Sequence, residues 1–117
     1  MSAHFVWFDV TADDADRARE FYTSLFGWSA GDGAGGYSTW FSDGGQPWAG
    51  VAPAERAVPA GRWVPYVVVD DLDAATKRAV ALGATVVAEA TQGPGGTSVT
   101  ITDPAGAHLA LFVPRSS

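Results

Sequence analysis

The sequence predicts an α+β fold: two βαβββ modules, residues 1–52 and 62–117, joined by a linker at 53–61 and paired into a curved mixed sheet with a concave cavity. Asp70-Asp71-Leu72-Asp73-Ala74-Ala75 echoes Asp13-Asp14-Ala15-Asp16-Arg17-Ala18 about half a chain length earlier. Each echo follows a strand-like alternation and opens a helix-like apolar spacing. A chain of 117 residues has room for one core. Neither half has enough strands to close a sheet, so the two must share that core.

His4 to Val10 alternates as a strand, with Val6, Phe8 and Val10 on one face and Phe5, Trp7 and Asp9 on the other. Thr11 to Asp14 supplies cap residues, Ala18, Phe21, Tyr22 and Leu25 recur at helical spacing, and Gly27 stops the helix. Ser29 to Gly36 is glycine-rich and holds at most a short strand. Tyr37 to Ser42, a turn at Asp43-Gly44-Gly45, and Trp48 to Ala52 read as a hairpin.

In the second module Trp63 to Val69 is a strand in which Pro65, lacking an N–H, predicts an edge or strand-start position. Leu72, Ala75, Ala79 and Leu82 form the apolar stripe of a helix ended by Gly83. Strands follow at Thr85 to Ala90, Thr97 to Thr102 and His108 to Val113, with Asp103-Pro104-Ala105-Gly106 fitting a type I turn.

Composition excludes several functions. The chain has no cysteine, hence no disulfide framework, thiolate nucleophile or cysteine-ligated zinc. A net charge of −6 without a Lys/Arg cluster argues against nucleic acid and anionic membranes as partners. It is compatible with a cationic ligand, though solubility accounts for it as well. No apolar run approaches the roughly 20 residues of a membrane span, and no basic stretch precedes an apolar signal core. The expected location is cytoplasmic. Gly93-Pro94-Gly95-Gly96 opens a strand and lacks a following Lys-Ser/Thr, so it reads as a turn and not a phosphate loop.

Four segments in order, Ala18-Arg19-Glu20-Phe21-Tyr22-Thr23-Ser24-Leu25-Phe26-Gly27-Trp28, Val67-Val68-Val69-Asp70-Asp71-Leu72-Asp73, Ala81-Leu82-Gly83-Ala84 and Asp103-Pro104-Ala105-Gly106, give the chain its family likeness. Across essentially its whole length it resembles the vicinal oxygen chelate superfamily, which includes glyoxalases, extradiol dioxygenases and bleomycin-resistance proteins. The resemblance implies a divalent metal held by His and Glu, one near the start of the first strand and one on the last strand of each module. Here those positions fall on Phe5 or Trp7, on a hairpin without His or Glu, on Val64 and on Ala110. None can ligate such a cation, so no metal cofactor is expected.

The candidate site is therefore an aromatic cavity. Trp7, Trp40, Trp48 and Trp63 fall on or beside strands and serve either as core or as cavity lining. Alanine-rich helices leave limited room on their side of the sheet, which favours Trp7 first, then Trp40 and Trp48, as lining. His108 shares a strand face with Ala110 and Phe112; with Tyr66, Asp9 and Arg62 it is a candidate polar anchor. Arg62 alternatively flanks a strand end, Tyr66 is half-exposed, and Asp9 ties down a backbone amide. His108 is the one candidate general acid or base near neutral pH.

These residues predict a metal-free binding or sequestering protein for an aromatic or hydrophobic small molecule. The alternative is a lyase, isomerase or dioxygenase of the same superfamily, with a displaced metal site or with His108 as base. The resemblance also implies a homodimer, whose interface would absorb some of the tryptophans.

Overall fold

The computed structural model describes residues 4–32, 39–54, 58–93 and 95–115. Tyr37 and Ser38 of the expected hairpin, residues 55–57 of the linker and Pro94 lie outside these. Contacts divide the chain into two units, one spanning Trp7–Trp63 and the other taking Val64 onward together with the residues before Trp7.

In the first unit, β1 (Phe5–Ala12) leads into α1 (Ala15–Phe26), then β2 (Ser29–Asp32), β3 (Thr39–Ser42) and β4 (Ala49–Pro53). The strands lie in the order β2-β3-β4-β1, antiparallel except where β4 runs parallel to β1. The second unit repeats this arrangement with β5 (Trp63–Val68), α2 (Leu72–Ala81), β6 (Thr85–Gly93), β7 (Gly96–Thr102) and β8 (His108–Pro114). Its order is β5-β8-β7-β6, with β8 parallel to β5. Pro65 precedes the ladder with β8, which begins at Tyr66, so its missing N–H costs that ladder nothing.

The echoed aspartates start both helices. Asp14 and Asp71 are N-caps in extended conformation, and their carboxylates accept from Arg17 N at 3.1 Å and Ala74 N at 3.0 Å. Each satisfies an amide that the first helical turn leaves without a partner, while Asp16 and Asp73 sit where the helix dipole favours negative charge.

Each helix covers one face of its own strands. In the first unit Val10, Phe41, Ala49 and Val51 are buried, and Phe8, Ala12, Ala15, Ala18, Tyr22, Trp28 and Trp48 pack around them. In the second, Val99, Ile101 and Leu111 are buried against Leu72, Ala75 and Ala79. Three residues expected in the helix stripes are not buried: Phe21 and Leu25 are each 58% exposed and Leu82 63%. Ala15, Ala18 and Tyr22 set the inward face of α1, which leaves Phe21 and Leu25 on its flank. Leu82 is the C-cap, beyond the last turn that packs.

Two local devices fix the connections. At the end of α2, Gly83 takes φ 106°, and Ala84 N donates to Ala79 O at 3.0 Å, closing the helix in a left-handed turn. A Cβ on Gly83 would meet Pro104 Cγ at 3.2 Å, so this glycine also seats the β7–β8 turn. In that turn the Asp103 carboxylate accepts from Ala105 N at 2.9 Å and Ala107 N at 3.0 Å. After β4, the chain is tied back to Thr11. The Thr11 hydroxyl donates to Pro59 O at 2.6 Å and accepts from Arg62 N at 3.1 Å, while Thr11 N donates to Arg62 O at 2.9 Å.

Candidate functional site

Strand alternation turns Trp7 and Asp9 of β1, Trp40 of β3, Gly50 of β4 and Gly31 of β2 away from α1. The register lines them up, since Asp9 lies opposite Gly50, Gly50 opposite Trp40, and Trp40 opposite Gly31. Both indoles use a glycine as their seat. A Cβ on Gly50 would meet Trp7 Cζ2 at 3.2 Å and Asp9 Oδ1 at 3.4 Å, and one on Gly31 would collide with the Trp40 ring. Glycine inside a strand costs backbone entropy and side-chain packing, and here it permits this close approach.

Asp9 fixes the tilt of Trp7. The Trp7 Nε1–H donates to Asp9 Oδ1 at 2.6 Å, and Asp9 is only 3% exposed. A hydrogen bond to a carboxyl oxygen out of bulk water holds the indole more firmly than packing alone. Trp7 and Trp40 are each partly buried, so each keeps surface beyond its glycine seat.

Trp48 belongs elsewhere. It packs on the helix side, edge-on to Trp28 with ring centroids 4.7 Å apart. Strand β4 begins only at Ala49, so alternation does not carry back to Trp48. Trp63 likewise meets α1, with its Nε1–H donating to Tyr22 Oη at 3.2 Å. Ala15 and Ala18 pack against the same buried cluster as Trp48, on the side where the sequence predicted too little room.

The other expected site residues are distributed as follows. Phe5 is 52% exposed, and Arg62 is exposed while its main chain engages Thr11. Val64 and Ala110 are buried. Tyr66 lies opposite Ala110 and meets Phe112 edge-on at 5.8 Å, and His108 lies half-buried opposite Thr102. Tyr66, His108, Ala110 and Phe112 thus share the face of the second unit that points away from α2. Sequence reading missed Gly31 and Gly50; the available signal was glycine inside a strand beside tryptophan.

The residues do not fit the divalent metal that the fold family implies. The interval from Asp14 to Asp71 also carries Asp9 to Tyr66 and Trp7 to Val64, and the matching registers equate Gly50 with Ala110. The ligand positions are therefore Trp7 and Gly50 in one unit and Val64 and Ala110 in the other, none with an oxygen or imidazole donor. Among the described residues no three His, Cys, Asp or Glu side chains gather in a metal-binding group.

Two surface hollows offer less. One is walled by Arg17, Glu20, Phe21, Ser24 and Leu25 of α1 alone, so it cannot enclose a ligand. The other lies at the start of α2, where Asp71 is engaged as the cap and Asp73 pairs with Lys77 at 3.1 Å.

Residues 6–112 match the glyoxalase-like domain family. The chain belongs to that family. This glyoxalase-like chain is 37% identical over 114 residues to the putative glyoxylase CFP32 of Mycobacterium tuberculosis, a match covering 91% of it and 44% of CFP32. It is 36% identical over 125 residues to the anthracycline biosynthesis protein DnrV of Streptomyces peucetius, covering 91% of it and 45% of DnrV. It thus spans less than half the length of these relatives. Methylmalonyl-CoA epimerase from M. tuberculosis shares its fold, with a TM-score of 0.62 and 21% identity over 96% of this chain and 88% of the epimerase.

Proposed function

We propose that this glyoxalase-like chain binds a flat aromatic or hydrophobic small molecule, without a metal and without changing it chemically. The observation that carries the reading is the pair of glycine-seated indoles, Trp7 and Trp40, on the face of the first unit away from α1. Indole faces held at fixed tilt offer a large apolar contact at little further entropic cost, which suits stacking against a planar ring. The likeness to an anthracycline biosynthesis protein supports a ligand of this kind. Tyr66, Phe112 and His108 form a candidate contact surface of the second unit by itself. A homodimeric, cytoplasmic protein is part of the same proposal, and sedimentation of the purified chain tests the dimer. Among the described residues no helix is long and apolar enough to cross a membrane.

The test is tryptophan quenching by a panel of planar aromatics, followed by recovery of the bound compound. Saturable quenching that is lost in Trp7→Leu and Trp40→Leu, with the compound returned unchanged, is expected. Conversion of the compound into a product overturns the binding reading in favour of catalysis.

A further inference from the structure

Resting on the reading of Tyr66, Phe112 and His108 as a contact surface of the second unit, we propose that this surface takes up an uncharged ring bearing several hydroxyl groups, the chemistry that a sugar and a polyphenol share. The first ground is a row of hydroxyls beside it. Register places Ser98 opposite Phe112, Thr100 opposite Ala110 and Thr102 opposite His108. The alternate residues Val99 and Ile101 are buried with Leu111 on the side of α2, so the three hydroxyl-bearing side chains stand on the same face as the imidazole.

The second ground is that these polar groups are not engaged. Ser98, Thr100, Thr102 and His108 are half-buried, and among the described residues none of their side chains has a hydrogen-bond partner. No buried side-chain nitrogen or oxygen of the described residues lacks a partner, so the polar atoms of these four reach the surface. Valine fits a half-buried strand position as well as threonine does and has no hydroxyl to desolvate. Hydroxyls kept here carry a cost that a hydrogen-bonding ligand offsets.

The third ground is geometry and charge. Alternate side chains along β7 stand about 7 Å apart and neighbouring strands about 5 Å, a span that hydroxyls on opposite sides of one six-membered ring can bridge. Tyr66 and Phe112 meet edge-on with ring centroids 5.8 Å apart, an apolar wall for the face of that ring. Ala110, opposite both Tyr66 and Thr100, carries only a methyl group, so no larger side chain separates the aromatic pair from the hydroxyl row. Of the positions in β5, β7 and β8 that alternate onto this face, none is Lys, Arg, Asp or Glu. A charged ligand would lose hydration there and gain no ion pair from these strands.

Amide chemical shifts of the isotope-labelled wild-type chain test this with methyl β-D-glucopyranoside and phloroglucinol. Each is compared with its fully O-methylated form, which keeps the ring and loses every donor. At least one parent compound should move the amides of Thr100, Thr102 and His108, and whichever binds more tightly identifies the source as sugar or polyphenol. Its methylated form should bind about tenfold more weakly, the loss of one or two hydrogen bonds. Thr100→Val and Thr102→Val, close in shape to the original, should each weaken the parent severalfold. Equal binding of parent and methylated form, or no effect from either substitution, overturns the hydroxyl preference and leaves the contact surface standing. If no probe moves these amides, the contact surface fails together with the inference, while tryptophan quenching decides the Trp7–Trp40 reading separately.

Discussion

Trp7 and Asp9 sit two residues apart on β1, joined by an indole-to-carboxylate hydrogen bond of 2.6 Å beside Gly50. Asp9 is nearly inaccessible to water, so a donor removed from it is not replaced by solvent. Trp7→Phe keeps a ring over Gly50 but takes the N–H away. It should lower unfolding free energy by about 1–3 kcal/mol, the cost of withdrawing one partner from a buried polar group. Urea denaturation measures this. An unchanged midpoint would mean that the bond contributes nothing to the native state.

Gly31 makes a complementary prediction about Trp40. Its backbone is in ordinary strand conformation, so alanine is sterically acceptable there except for the ring above it. Gly31→Ala should therefore lift the Trp40 indole while leaving the fold in place. Near-ultraviolet circular dichroism should change, and a stacked ligand should lose about 0.5–1.5 kcal/mol of affinity, the range for one aromatic contact. Identical spectra and affinity would show that the seat is not needed.

Thr11 links β1 to the segment after β4, and its hydroxyl both donates to Pro59 O and accepts from Arg62 N. Thr11→Val preserves shape and removes both bonds from a buried site. The expected loss is about 1–3 kcal/mol. Thr11→Ser, which keeps the hydroxyl, should recover most of it. Equal losses in the two variants would assign the effect to the methyl group instead.

How much of this was legible beforehand follows from where the information sits. The caps at Asp14 and Asp71, the stop at Gly83 and the turn at Asp103 are local chemistry, readable from a few adjacent residues, and they carried the fold. Alternation within β1 put Trp7 and Asp9 on one face, whereas Trp40 and Trp48 were assigned to the lining because the alanine-rich helices were expected to leave little room. Trp48 instead packs on the helix side, since whether β4 starts at 48 or 49 decides its side and sequence leaves element ends loose. The seats at Gly31 and Gly50 depend on cross-strand register, which couples residues far apart in the chain.

The outer flank of α1 separates the sequence expectation from the structure most cleanly. Helical spacing assigned Phe21 and Leu25 to the buried stripe, and removing a buried leucine or phenylalanine side chain costs about 2–5 kcal/mol. Both are 58% exposed, while Ala18 and Tyr22 make the inward contacts. Phe21→Gln and Leu25→Gln, chosen because glutamine favours helix about as well as leucine, should each change stability by less than about 1 kcal/mol. Tyr22→Gln on the inward face should cost several times more, since its ring packs against Trp28 at 5.8 Å and Phe41 at 5.9 Å. Thermal unfolding of the three variants at dilute concentration decides it. Losses at Phe21 and Leu25 as large as at Tyr22 would mean that this flank is covered in solution.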